Sequence, residues 1–144
     1  MNTPDLHIEF ESGSWGVRNA LEQVKGNLVT YGLEPEEIGT VELVLAEAMN
    51  NIVEHAYPND DCAGPISLTC ARQMNGLGFS IEDKGRAMPG GKTPVGMAVD
   101  VDVDLGDMPE GGFGWFLIQD LAKDVHYARV DDTNRLTFRI CVSV

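Results

Sequence analysis

Residues 41–57 read VELVLAEAMNNIVEHAY. At about 100° per residue, Val41, Leu45, Ala48 and Ile52 fall on one face, which predicts an amphipathic helix with that stripe turned to the core. Glu47 and Asn51 lie one turn apart on a neighbouring stripe, so their side chains project together, and His55 continues the row one turn later. An amide oxygen is a neutral hard ligand suited to Mg²⁺, and a carboxylate can orient or deprotonate a hydroxyl. On the helix alone a solvated polar edge would read the same way, and a His near a helix C-terminus is favoured by the dipole without any further role. Pro35, Glu36 and Glu37 mark the helix start, since Pro suits the first turn and acids suit its positive end. Tyr57-Pro58-Asn59-Asp60 breaks it.

Working outward, residues 5–11 (DLHIEFE) alternate and read as a strand. A first helix is expected from about Trp15, with Ser14 as cap, to about Tyr31, where Gly32 ends it. Residues 65–72 and 77–83 read as strands around an Asn75-Gly76 hairpin cue. Residues 84–111 are rich in glycine and carry the acidic VDVDLGD run at 101–107. A structureless stretch of that length in a compact domain points to a functional loop. A third helix is expected over about 113–123, then strands at 124–130 and 135–143 joined through Asp131-Asp132-Thr133-Asn134. The order β-α-α-β-β-loop-α-β-β predicts one α+β domain over residues 1–144: a two-layer sandwich, with helices on one face of a mixed, mostly antiparallel sheet.

Two further segments carry candidate chemistry. Ile81-Glu82-Asp83-Lys84-Gly85 places an acid just past a strand and a glycine where the chain turns. Such a carboxylate can accept a hydrogen bond from an exocyclic amine such as adenine's, although a plain Asp-x-Gly turn has the same spelling. Gly111-Gly112-Phe113-Gly114 precedes the third predicted helix, and glycines there leave free N–H groups at a helix N-terminus, an anion site or a simple hinge. Neither the G-x-G-x-x-G dinucleotide pattern nor a Walker lysine is present.

Composition narrows the classes. The chain has 144 residues, 43% apolar, and a formal net charge of −13. That charge repels nucleic acid and anionic membrane surfaces, and favours partners with basic patches. No apolar run approaches a membrane span and the N-terminus lacks a signal-peptide pattern, so a cytoplasmic protein is expected. Cys62, Cys70 and Cys141 form no C-x-x-C pair and are expected to be reduced, mostly buried thiols, with no zinc spacing.

Taken in order and spacing, EAMNNIVEHAY, the Asp83–Gly85 turn and GGFGWFLIQDLAKDVHY resemble the GHKL ATPase superfamily of gyrase, the ninety-kilodalton chaperone, histidine kinases and MutL. Within it the chain is similar to the small anti-sigma factor serine/threonine kinases of the RsbW and SpoIIAB type, over nearly its whole length. The resemblance implies the gyrase-like ATPase fold, with ATP and Mg²⁺ as cofactors. It implies Glu47 as general base and Asn51 as Mg²⁺ ligand. Asp83 would contact the adenine amine, with Gly85 behind it, and His55 would lie along the nucleotide-binding helix. Gly112 and Gly114 would open backbone amides to the phosphates, and residues 86–111 would form an ATP lid. The implied partner is an anti-sigma factor antagonist of the STAS type, a sigma factor, or both, and the resemblance allows a homodimer. The chain departs from the pattern at Ala87, where a glycine is usual, at Gly111, where relatives often carry Arg, and in the acidic run Asp100, Asp102, Asp104, Asp107 and Glu110. These departures bear on nucleotide affinity and catalytic rate. The alternative they favour is a nucleotide-gated sequestering module without kinase activity.

Overall fold

A computed structural model describes residues 5–12, 14–57, 64–74, 76–86, 118 and 120–142, with backbone only for Ser14 and His55. The first strand, β1 (Leu6–Glu11), is followed by two helices, α1 (Ser14–Thr30) and α2 (Pro35–Ala56). Two hairpins follow among the described residues: β2 (Pro65–Gln73) with β3 (Gly76–Asp83), and β4 (Lys123–Val130) with β5 (Thr133–Ile140). The strands lie in the order β1-β2-β3-β5-β4. Every pairing among them is antiparallel, so the expected mixed sheet is, in the described residues, wholly antiparallel.

The helix ends follow from local chemistry. After α1, Gly32 takes a φ of 86°, which glycine adopts without steric cost. Its N–H donates to the Val29 carbonyl (3.0 Å) while the Leu33 N–H donates to Leu28 (3.3 Å), the paired bonds of a Schellman ending. Pro35 opens α2, and the Glu37 carboxylate reaches back to accept the Glu34 N–H at 2.9 Å.

The stripe Val41, Leu45, Ala48 and Ile52 is buried as expected, joined by Val44, Met49 and Ala56. It packs with the inward rows of the sheet: Ile66, Leu68 and Cys70 on β2, Leu77, Phe79 and Ile81 on β3, and Leu136, Phe138 and Ile140 on β5. Phe79 and Phe138 stack across the β3–β5 pair with ring centroids 5.5 Å apart. Burial pushes the Cys70 thiol up to about 12, which keeps it protonated and inert. Cys141, in contrast, is exposed, and Cys62 lies outside the described residues.

Two boundaries differ from the sequence reading. Gly76 is not at the apex of its hairpin; it is already in β3, opposite Gln73. A Cβ there would sit 2.7 Å from the Ile140 carbonyl oxygen, so the third central strand, β5, requires the glycine. The second hairpin turns on Asp131 and Asp132 alone, both left-handed at φ 51° and 66°, a pattern suited to strand twist. Thr133 and Asn134, expected in that turn, belong to β5. The third predicted helix lies mostly outside the described residues; within them, the Ala122 N–H donates to the Ile118 carbonyl at 2.8 Å, one helical turn. No helix among the described residues is long and apolar enough to cross a membrane.

Gly76→Ala is expected to cost about 1–3 kcal/mol by forcing β3 and β5 apart. A urea unfolding curve measures it, and a midpoint equal to wild type would show that the contact relaxes freely.

Candidate functional site

The alternation that buries Leu77, Phe79 and Ile81 carries one step further and turns Asp83 inward at the end of β3. The same alternation on β5 turns Asn134 inward ahead of Leu136, Phe138 and Ile140. The register places Asp83 directly opposite Asn134. Both are almost fully enclosed, at 4% and 3% exposure.

A buried carboxylate needs donors. Asp83 Oδ1 accepts the Asn134 Nδ2–H at 2.7 Å and the Gly85 N–H at 2.9 Å. Both bonds fall on Oδ1, which, among the described residues, leaves Oδ2 as an acceptor. Asn134 is itself fixed. Its Oδ1 accepts from the Tyr127 hydroxyl at 2.6 Å and from Arg129 Nη1 at 2.8 Å. Its Nδ2 also donates to the Arg86 carbonyl at 2.8 Å. Arg129 Nη1 further donates to the Gly85 carbonyl at 3.0 Å.

The C-terminal turn of α2 closes this region from above. Arg86 N–H donates to the Ala56 carbonyl at 3.0 Å. A Cβ on Gly85 would collide with the backbone and side chain of Ala56, so only glycine fits there. The Tyr57 hydroxyl donates to the Pro65 carbonyl and accepts the Lys84 N–H, each at 2.8 Å, pinning the helix end to β2 and β3. Burial pushes that hydroxyl's pKa up. Ile52, Ala56, Asp83, Arg86, Tyr127, Asn134 and Leu136 line a narrow cleft beneath the helix.

Further along α2, Asn51 is 3% exposed. Its Nδ2 donates to the Glu47 carbonyl at 2.7 Å, and its Oδ1 is enclosed with no hydrogen-bond partner among the described residues. An orphaned, hard, neutral oxygen is a costly thing to bury and is a fit donor for Mg²⁺. Glu47 is half-buried one turn earlier. Among the described residues, no group of three or more His, Cys, Asp and Glu could hold a metal.

The structure thus brings Asp83 and Gly85 against the end of α2, the helix that also presents Glu47 and Asn51. The His55 side chain lies outside the described atoms. Gly112, Gly114 and most of the predicted lid, 87–111, lie outside the described residues. The sequence reading missed Asn134, Tyr127, Arg129 and Tyr57. Asn134 did leave a signal: an amide in the inward row of a strand otherwise filled by Leu136, Phe138 and Ile140 must have buried partners.

This arrangement, two helices over an antiparallel sheet with an acid–amide cleft under one helix end, is a known architecture. The histidine kinase-like ATPase domain family matches residues 14–140. The chain belongs to that family. The serine-protein kinase RsbW of Bacillus thuringiensis (strain Al Hakam) is 30% identical over 96 residues, covering 65% of this chain and 58% of that protein. RsbW of Bacillus anthracis is 29% identical over 96 residues, with the same shares. The matched stretch thus spans little more than half of those relatives. A solved structure of the RsbU and RsbW domains of a Mycobacterium tuberculosis protein superposes with a TM-score of 0.68 at 19% identity, covering 99% of this chain and 33% of that one. The SiaB–SiaC complex from Pseudomonas aeruginosa gives a TM-score of 0.68 at 13% identity, covering 95% and 89%. At these identities the two structures speak for the fold alone.

Burial is the largest influence on the Asp83 carboxyl and pushes its pKa up, against the opposing pull of Asn134, Gly85 and Arg129. The folded chain then binds this proton more tightly than the unfolded chain. The resulting stability is whole below the unfolded value, about 4, and is lost as pH rises through the higher folded value. Asp83→Asn, which keeps the Oδ1 acceptor, should therefore melt above wild type at neutral pH. The gap should close as pH falls towards about 4. A melting series that shows a constant gap would refute the assignment.

Proposed function

We propose that this chain is an ATP-dependent serine/threonine protein kinase of the anti-sigma factor type, acting in the cytoplasm as one ATP-binding domain. Its substrate on this reading is a Ser or Thr hydroxyl of an anti-sigma factor antagonist of the STAS type, with a sigma factor as the alternative binding partner and a homodimer as its assembly. The observation that carries the proposal is the Asn51 Oδ1 left without a hydrogen-bond partner among the described residues, one turn from Glu47 on a helix whose C-terminal end, five residues on, packs against the Asp83–Gly85 turn. One helix then presents a metal ligand and a base, and its end meets an acceptor for an amine. RsbW, named a serine-protein kinase, supports the chemistry, and SiaB with SiaC illustrates the fold beside a protein partner.

In this mechanism Asp83 Oδ2 accepts the exocyclic amine of the base, and Gly85 lets the turn lie flat against Ala56. Asn51 Oδ1 would hold Mg²⁺. Bound Mg²⁺ supplies charge neutralisation on the phosphoryl group in flight. Glu47 takes the proton from the attacking hydroxyl as its oxygen bonds to the γ-phosphorus and ADP leaves. Gly112 and Gly114 would contribute backbone amides to the phosphates. His55 would line the same helix face.

A sequestering module that uses ATP only to set its shape is the second reading. The acidic run from Asp100 to Glu110 and Ala87 favour it, because like charge beside a triphosphate weakens transfer.

Glu47→Ala is expected to retain ATP binding but to lose about 10²–10⁴-fold in transfer to the partner. Labelled ATP with purified STAS proteins reads this, and wild-type transfer by the variant would remove Glu47 from the base role. No transfer by wild type with ATP binding intact would instead select the sequestering module. Asn51→Ala should abolish the Mg²⁺ dependence of ATP binding in calorimetry; titrations that still differ with and without Mg²⁺ would place the metal elsewhere.

A further inference from the structure

Asn134 is the most heavily bonded side chain in the cleft, yet no role above uses it. Its amide orientation is set without ambiguity. Oδ1 faces two groups that donate here, the Tyr127 hydroxyl and the Arg129 guanidinium. Nδ2 faces only acceptors: Asp83 Oδ1 at 2.7 Å, Arg86 C=O at 2.8 Å and Gly85 C=O at 3.4 Å. Reversing the amide would set an oxygen against three oxygens and a nitrogen against the Arg129 guanidinium, which cannot accept. Arg129, on β4, together with the oxygens facing Nδ2, therefore dictates which way the Asn134 N–H points, and the Tyr127 hydroxyl on the same strand adds a second donor to Oδ1.

That direction matters at Asp83. A carboxylate has two equivalent oxygens and can turn about its last torsion. With Oδ1 held by Asn134 and by the Gly85 N–H, the carboxylate is locked, and Oδ2 is offered as an acceptor. An acceptor selects a donor: a purine with an amine at position 6 fits, and a purine with a carbonyl there meets repulsion. We infer that Asn134, oriented by Tyr127 and Arg129, is a positioning residue that locks the Asp83 carboxylate and so sets selectivity for a 6-amino over a 6-oxo purine nucleotide. The inference rests on the reading above that Asp83 receives the base.

Without the Asn134 donor, Asp83 keeps only the Gly85 N–H and is free to turn. Burial, which already favours its neutral form, then meets one opposing donor fewer. A neutral, mobile carboxyl can donate to a 6-oxo group as readily as it accepts from an amine. Loss of Asn134 should thus weaken ATP binding and spare inosine triphosphate. A residue that only supports the fold would weaken both alike.

The test is calorimetric titration of the full chain with ATP and with inosine triphosphate, each with Mg²⁺, for wild type, Asn134→Ala and Tyr127→Phe. Thermal melts confirm that each variant is folded. Wild type is expected to prefer ATP, and Asn134→Ala should lower that preference about tenfold, the worth of roughly one hydrogen bond to a charged group. Tyr127→Phe removes one oxygen and should lower it by about two- to threefold, and it carries the test if Asn134→Ala does not fold. Equal losses for the two nucleotides, in whichever variant folds, would overturn the inference while leaving the ATP reading intact. Wild type that binds neither nucleotide would overturn that reading, and the inference with it.

Discussion

The period-2 alternation of two central strands constrains everything else in this molecule. On β3 the inward row runs Leu77, Phe79, Ile81 and then Asp83; on β5 it runs Asn134, Leu136, Phe138 and Ile140. A slip of one residue would turn the core outward, so the apolar members fix the register of the polar ones. Asp83 and Asn134 therefore meet at one end of the sheet because six neighbours must be buried, and neither can swing to solvent without unmaking the core. The free energy of ordinary packing holds an unfavourable polar pair in place.

How that pair is tolerated explains the surrounding residues. The carboxylate is satisfied by Asn134 and by a turn closed through the Gly85 N–H. The amide is satisfied by Tyr127 and Arg129, whose charge acts on Asp83 from beyond Asn134. Arg129 and Asn134 also hold the carbonyls of Gly85 and Arg86, where the chain leaves the sheet towards residue 87. The net charge of −13 says little about this corner, because enclosed groups respond to the few donors in contact with them more than to screened surface charge.

The parts legible in the sequence are those governed by short-range rules. Helix α2 announced itself through Val41, Leu45, Ala48 and Ile52, and its ends through Pro35 and Tyr57. That Asn51 lies one turn past Glu47 followed from i, i+4 geometry alone, and the contact between them runs from the Asn51 amide to the Glu47 carbonyl. What stayed hidden depends on partners distant in the chain. Asn134 was read as turn because Asp131, Asp132, Thr133 and Asn134 all suit turns, whereas the turn needs only the two aspartates at positive φ. Gly76 was read as a turn residue, but the strand beyond it, at Ile140, is what forbids a side chain. Tyr57 looked like a helix breaker, and its clamp on Pro65 and Lys84 appears only once β2 and β3 are in place.

The remaining imperfections of the cleft share one character. Asn51 buries an oxygen that nothing in the described chain satisfies, and Asp83 keeps one carboxylate oxygen unused while burial works against its charge. Both are acceptors, and both are held by elements too rigid to move them to a partner. Five helical positions separate Asn51 from Ala56, the residue against which the Asp83 turn packs, or about 7.5 Å of axis at 1.5 Å per residue. A small ion or an isolated amine could satisfy one of these acceptors but not the other. A single ligand that met both would have to reach from one to the other, which is the demand the proposed reading makes of a nucleotide; the match to the histidine kinase-like ATPase domain is consistent with it.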